Sequence, residues 1–463
     1  MMPKERYSKL KEYLSSENPI LVDVISKYEH LDKLGHSMGF INYDETYTSH
    51  ISWWPMISIL GTFSAGKSTF INNYVGQSIQ ESGNQAIDDK FTVVCYGNNE
   101  EPTTLPGLAL DADPRFPFYN ISEEVNKVDP GEGNRVNLYL QLKTLKSEKL
   151  KGKILIDSPG FDADSQRDGI LKITDHIVDM SDLVLIFFDA RHPEPGAMRD
   201  TLNHLVSTTM AHRDANKVLY ILNQIDTTAK EDNLEDVIGS WQRALSHEGL
   251  ISGNFYSIYN ESAANHIDDE ALEARLKGKK DADMEKILER MDKVKIERAY
   301  RIIKALEDFS KTMKEEKLPL LQEALQSWSK KVFWSSGVVL ALFVTLFIAI
   351  EIQFDLSDTI EVLGGVLGAA TLLFLIIHFK IRSFFARGLF KKWKEKDIDI
   401  SKAILHKTRW WNSIFGLEKR EWKKGIKEQL DELMKQSRQA IQKLNDQFVA
   451  PSGGAQQEET SNK

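Results

Sequence analysis

The chain has 463 residues, 41% of them apolar and 27% charged, with a formal net charge of −9. That length exceeds one ordinary domain, and that composition is globular, which excludes wholesale disorder. A single cysteine, Cys95, excludes an intramolecular disulfide, and the acidic balance argues against a nucleic-acid partner.

Taken in chain order, the N-terminal stretch MMPKERYSKLKEYLSSENP has no apolar h-region, so no signal peptide is expected. Residues 1–50 place Leu10, Tyr13, Leu14, Leu21, Val24, Ile25, Tyr28 and Leu31 near i, i+3, i+4 spacing, the apolar stripe of packed helices. Over 51–262, apolar runs alternate with helical patterns. Strands are expected at Met56–Leu60, Phe91–Tyr96, Val136–Leu142, Lys153–Ile156, Leu183–Phe188, Val218–Leu222 and Phe255–Ile258. Such alternation predicts an α/β domain built on a largely parallel sheet covered on both faces, with Trp53 and Trp54 packing at the sheet edge. Residues 266–330 turn helical and charged, a stalk laced by i, i+4 pairs.

Val332–Ile350 is free of charge, and Ile360–Phe379 carries only Glu361. Each would cover roughly 28–30 Å as a helix, enough to cross a hydrocarbon core. Lys330 and Lys331 precede the first run, and Lys380, Arg382 and Arg387 follow the second. The connection holds only acids: Glu351, Asp355, Asp358 and Glu361. The positive-inside rule then predicts a transmembrane hairpin over 332–379 with both termini cytoplasmic and the short acidic loop on the opposite side. Gly337, Gly364, Gly365 and Gly368 would allow close helix approach. A buried hairpin in a soluble bundle, and a paddle that inserts in one nucleotide state only, are the other readings of the same pattern.

Residues 380–449 form a basic helical segment, and 450–463 a disordered tail. From Lys380 to Lys463 there are 19 Lys and Arg against 11 Asp and Glu, a surplus of 8, so the rest of the chain carries −17. Trp393, Trp410, Trp411 and Phe415 lie among these cations. They suit either a lipid headgroup layer or packing against the N-terminal helices.

The stretch Gly61-Thr62-Phe63-Ser64-Ala65-Gly66-Lys67-Ser68 satisfies G-x-x-x-x-G-K-[ST] between an expected strand and a helix beginning near Lys67. There, backbone N–H groups wrap phosphates and the helix N-terminus adds its positive end. Lys67 reaches the β/γ-phosphates, and the hydroxyl of Ser68, followed by Thr69, meets Mg²⁺. KILIDSPGF ends a strand in Asp157, placed to hold Mg²⁺ through water, and in Gly160, whose N–H can sense a γ-phosphate. VLYILNQID ends another in Asn223, Gln224 and Asp226. Asp226 suits the guanine N1–H and N2–H₂ donors, and Asn223 suits tying loops together. The three elements in this order read as a P-loop NTPase of the GTPase branch. No His or Cys spacing suggests a metal centre, with His176, His192, His204 and His212 unaccompanied by cysteine.

These residues resemble the dynamin superfamily, and within it the Eps15-homology-domain ATPases and bacterial dynamin-like proteins. WPMISILGTFSAGKSTFI, PGLALDADPRFPF, DSPGFDADSQRDG and LVLIFFDARH are similar to that group's signature stretches, over about 51–260. The resemblance implies a nucleotide-driven protein that assembles with itself through G domains and remodels or scaffolds a lipid bilayer. It also implies that Ser64 helps hold a charge-compensating monovalent cation, and that Lys67, Ser64 and Gly160 act on the transferred phosphate. The departures are specific. Phe63 stands where dynamins carry Gln, and Ile87 and Asp88 fall on the switch threonine pair. Thr92 is the substitute Mg²⁺ ligand, at a position that reads as strand interior. Gln224 replaces the lysine that usually covers the base, so ATP stays open beside GTP. No Ca²⁺-loop pattern follows the helices. The expectation is a membrane-anchored, dynamin-like GTPase with Mg²⁺, or an ATPase scaffold, or a nucleotide-regulated tether with negligible turnover.

Overall fold

The computed structural model describes the chain except residues 1–2, 16–17, 82–89, short stretches between 114 and 130, 161–173, 175, 194–216, 251–252, 355–359, 413–423 and 449–463. The expected switch positions Ile87 and Asp88, the loop acids Asp355 and Asp358, and the C-terminal tail therefore lie outside the described residues. The rest divides into two compact units, Ser49–Ala299 and a second made of Met1–Thr48 with Tyr300–Lys463.

The first unit holds an eight-stranded sheet in the order β3-β4-β2-β5-β1-β6-β7-β8. Its strands are β1 (Met56–Gly61), β2 (Phe91–Tyr96), β3 (Thr103–Pro106), β4 (Leu140–Leu145), β5 (Ile154–Asp157), β6 (Leu183–Asp189), β7 (Val218–Asn223) and β8 (Asn254–Ser257). Five pairings are parallel, while β2 runs antiparallel to β5 and β3 antiparallel to β4, so the sheet is mixed. Every residue of β1, β6 and β7 is buried, as central strands covered on both faces require. Two expectations need correction. Val136–Tyr139, read as strand, is a helical turn, and the strand starts at Leu140. The edge strand β3 went unread because TTLP is short, mostly exposed and ends in proline.

The period-2 alternation of β1 sends Ile57 and Ile59 to one face and Leu60 to the other. On the first face they meet Phe70, Ile71 and Val75 of α3 (Lys67–Val75). On the second, Leu60, Val184, Ile186 and Phe188 meet Trp241 and Leu245 of α4 (Leu234–His247). The long α5 (Glu270–Thr312) adds Leu276 to the second cluster and Ile287, Met291 and Val294 to the first. The stalk expected from residue 266 is therefore divided. Its part up to Ala299 belongs to the sheet-bearing unit, because its apolar stripe is spent on the sheet.

In the second unit, Asn18 caps α2 (Pro19–Met38) by accepting from Ile20 N at 3.1 Å, with α1 (Pro3–Ser15) before it. Leu21, Val24, Ile25, Tyr28 and Leu31 are buried as their spacing predicts, and the Tyr28 hydroxyl donates to Ile302 O at 2.8 Å. Tyr13 departs from the expected stripe and is 46% exposed. α6 (Leu318–Phe354) follows a π-turn at Met313–Lys317. Pro319 has no N–H for Glu315 and its ring crowds that carbonyl, which accounts for the widened turn.

α6 and α7 (Ile360–Lys394) form an antiparallel pair and are long and apolar enough to cross a membrane. Their flanks are bare: Leu342, Leu346, Leu372 and Ile376 are among many exposed apolar side chains. The helices meet through Phe343–Phe374 (6.3 Å between centroids) and Ser336 Oγ–His378 Nδ1 (2.8 Å). The hairpin glycines do not serve close approach within the chain, since a Cβ on Gly337, Gly364, Gly365 or Gly368 would meet open space. α8 (Ile398–Lys407) docks on α2, with Lys407 Nζ donating to Ser37 O at 2.7 Å, and α9 (Lys424–Asn445) packs on α2 as well.

Candidate functional site

The turn between β1 and α3 is built for close backbone approach. A Cβ on Gly61 would stand 2.6 Å from Phe187 O, so the crossing with β6 admits only glycine. Ser64 (φ 58) and Gly66 (φ 83) both take left-handed backbone, the second as the N-cap of α3. Alternating handedness turns successive N–H groups inward as an anion nest at the start of a helix. Lys67 curls over this turn, its Nζ donating to Gly61 O at 3.0 Å and Thr62 O at 3.1 Å. Burial pushes the Lys67 ammonium below its ordinary range, and the Asp157 charge pulls it back. Ala65 is fully buried, while Ser68 and Thr69 are half-buried in the first turn of α3.

The end of β7 reaches the same turn. Asn223, the last residue of β7, donates from Nδ2 to Ala65 O at 2.8 Å. Gln224 (φ 64) points back, and its Nε2 donates to Ser64 O at 2.6 Å. The side chain expected over the base is thus fastened to the phosphate turn. Asp226, 6% exposed, lies in the 3₁₀ turn Ile225–Lys230, and its Oδ2 accepts from Asn265 N at 3.0 Å and Asn265 Nδ2 at 2.9 Å. Arg191, after β6, clasps Asp189 and adds positive charge toward Asp226.

Asp157 closes β5 directly beside β1, in register with Ile59. Its Oδ2 accepts from Gln80 Nε2 at 2.6 Å, and Gln80 Oε1 accepts from Lys143 Nζ at 2.6 Å. The amide orientation follows from its neighbours, since a carboxylate only accepts and an ammonium only donates. Asn72 of α3 holds the Gln80 backbone from both sides, donating to Gln80 O at 2.8 Å and accepting from Gln80 N at 2.9 Å. Gly160 lies against Phe63: a Cβ there would stand 3.0 Å from Phe63 Cδ2. Thr92 is fully buried in β2 opposite Asp157, and its hydroxyl accepts from Gln141 Nε2 at 2.7 Å. That fits the strand-interior reading of Thr92 rather than a loop hydroxyl.

Gln80, Asn72, Lys143 and Asn265 belong to the site and carried no motif. Only Asn72 stood near one, five positions after Lys67. For a divalent ion, the Ser68 hydroxyl and the Asp157 carboxylate are hard oxygen donors of the type Mg²⁺ takes, with the remaining positions left to phosphate and water.

Residues 57–225 match the family model of the dynamin family. EH domain-containing protein 2 of Rattus norvegicus is 26% identical over 198 residues, covering 41% of this chain and 34% of that protein. EH domain-containing protein 1 of Homo sapiens is 26% identical over 179 residues, 37% of this chain and 31% of that protein. The match thus spans about a third of the length of these curated relatives. A solved oligomerised bacterial dynamin pair, described as a mechanism for long-range sensing and tethering of membranes, is 14% identical with a TM-score of 0.37. It covers 96% of this chain and 78% of that one.

Proposed function

We propose, for a chain whose residues 57–225 carry a dynamin-family domain, that it binds and hydrolyses GTP on a membrane and couples this to self-assembly. The observation that carries the reading is the convergence on one turn of Lys67, from the start of α3, and of Asn223 and Gln224, from the end of β7. The same chain also holds two long apolar helices whose flanks are bare. Gly61 to Thr69 would wrap the phosphates, and Lys67 would exchange its two carbonyl partners for β/γ oxygens. Ser68 and Asp157 would hold Mg²⁺, which when bound neutralises charge on the β/γ oxygens. Phe63 supplies no polar atom for orienting water, which supports slow intrinsic turnover accelerated by pairing of G domains.

A second reading concerns the base. Two donors from Asn265 occupy Asp226 Oδ2, and Gln224 is drawn away to Ser64 O, which favours adenine as an alternative to guanine. The hairpin would span the bilayer with both long soluble parts on the cationic-flank side.

Labelled GTP and ATP titrated onto the purified chain, followed by phosphate release with and without vesicles, test the whole. Expected are Mg²⁺-dependent binding that Lys67→Ala abolishes and a rate that rises with lipid. Tenfold tighter ATP would overturn the guanine assignment, and a rate indifferent to lipid would leave a tether.

A further inference from the structure

At the foot of the hairpin, Arg382 is only 6% exposed although it lies just past the last apolar turn of α7. Its guanidinium donates to three backbone carbonyls of the loop after α8: Arg409 O at 3.0 Å, Asn412 O at 2.7 Å and Trp410 O at 3.4 Å. It also lies over the rings of Trp328 and Phe379, at 5.5 Å and 5.9 Å. Asn412 Nδ2 meets His406 O at 3.1 Å and Lys407 O at 3.0 Å. An irregular loop whose carbonyls are satisfied by the protein does not depend on water for them, a condition that matters where water thins out.

That clamp fixes Trp410 and Trp411, and both are turned outward, 69% and 60% exposed. Trp410 packs edge-on against Phe379, the last apolar residue of the second span, at 6.4 Å, and against Trp411 at 5.6 Å. Arg409 lies over the Trp411 ring at 5.4 Å. Two indoles are therefore anchored level with the turn where apolar residues give way to Lys380. Indoles with neighbouring cations are the side chains that favour the bilayer headgroup layer.

We propose that Trp410 and Trp411 form a second lipid contact, an indole belt at the base of the hairpin that takes an anionic bilayer surface, with Arg382 as its positioning residue. The assignment rests on the membrane-spanning reading for the depth of Phe379. The belt follows α8, which Lys407 and the Lys402–Glu45 pair (2.8 Å) tie to the N-terminal segment, so it joins that segment to the lipid surface.

The test uses the full chain reconstituted in vesicles of phosphatidylcholine and phosphatidylglycerol. The emission lost in a Trp410→Phe, Trp411→Phe variant reports the two indoles, and because both side chains are exposed, folding is left alone. That signal is expected to fall by about half in vesicles brominated near the glycerol end of the acyl chain, and far less with bromine at the chain end. Arg382→Gln is expected to erase this depth preference. Equal emission in brominated and plain vesicles, with full quenching by aqueous acrylamide, would overturn the belt. Alkaline carbonate washing in parallel reads the hairpin by itself. Release of the wild-type chain would sink the spanning assignment, whereas retention with no lipid quenching would sink the belt alone.

Discussion

Replacing Gln80 by methionine keeps the length of the side chain and removes both of its polar atoms. What disappears is the 2.6 Å bond to Asp157 Oδ2 and the 2.6 Å bond from Lys143 Nζ, while Lys143 retains Ile79 O at 3.1 Å. A hydrogen bond to a buried carboxylate contributes about 1.5–3 kcal/mol. Because Gln80 is 1% exposed, no solvent replaces it. If Asp157 is the carboxylate that orients the Mg²⁺ shell, loosening it should weaken apparent metal affinity ~10–100-fold, the range for groups that aim metal-binding side chains. The assay is binding of a fluorescent nucleotide against free Mg²⁺, with binding in excess chelator as baseline. The midpoint should move by that factor while the baseline stays put. Lys143→Met, which frees the amide to rotate, should move it in the same direction by less. A Gln80→Met midpoint within about twofold of wild type would refute the role assigned to Asp157 and its support together.

Asn223→Ala removes a buried 2.8 Å bond to Ala65 O. It should lower the melting free energy by about 1–2 kcal/mol and nucleotide affinity roughly tenfold, read by thermal melts and titration. Asn265→Ala removes the side-chain Nδ2 donor and leaves the backbone N–H in place, which frees one lone pair of Asp226 Oδ2, so the ratio of GTP to ATP affinity should rise by about 3–10-fold in competition binding. Burial raises the Asp32 carboxyl from 3.8 to about 7, against the opposing Tyr47 N–H bond. The folded state then holds a proton that the unfolded state has released, so stability is lost as pH rises from about 4 to 7 and levels off above. Asp32→Asn should accordingly stabilise the chain by ~1–3 kcal/mol at pH 8 and scarcely at pH 4, as measured by denaturant melts.

What could be read in the linear chain was whatever is local. Gly61 to Ser68 announces its turn because positive φ and close approach demand those residues within eight positions. β1, β6 and β7 announced themselves as unbroken apolar runs because both of their faces are covered. Long-range choices left no trace. Gln80 reaches Asp157 across 77 positions, and Asn265 reaches Asp226 across 39, in each case through a side chain that would look ordinary in any loop. Val136–Tyr139 has the apolar content of a strand, yet it coils because the neighbouring strand begins its pairing at Leu140. α5 reads as one charged helix, and nothing in its pattern marks Ala299 as the point where its partners change.

The π-turn at Met313–Lys317 has a consequence for how this chain can vary. One surplus residue in a helix rotates all that follows by about 100°. The orientation at which Trp328 and Val332 meet Ala386 is therefore set upstream, by the count of residues in the turn that Pro319 widens. Point substitutions at the exposed Glu315 and Glu316 should be borne easily, whereas losing any one residue of 313–317 would swing α6 out of phase with its mate. Length, at this spot, is the inherited quantity.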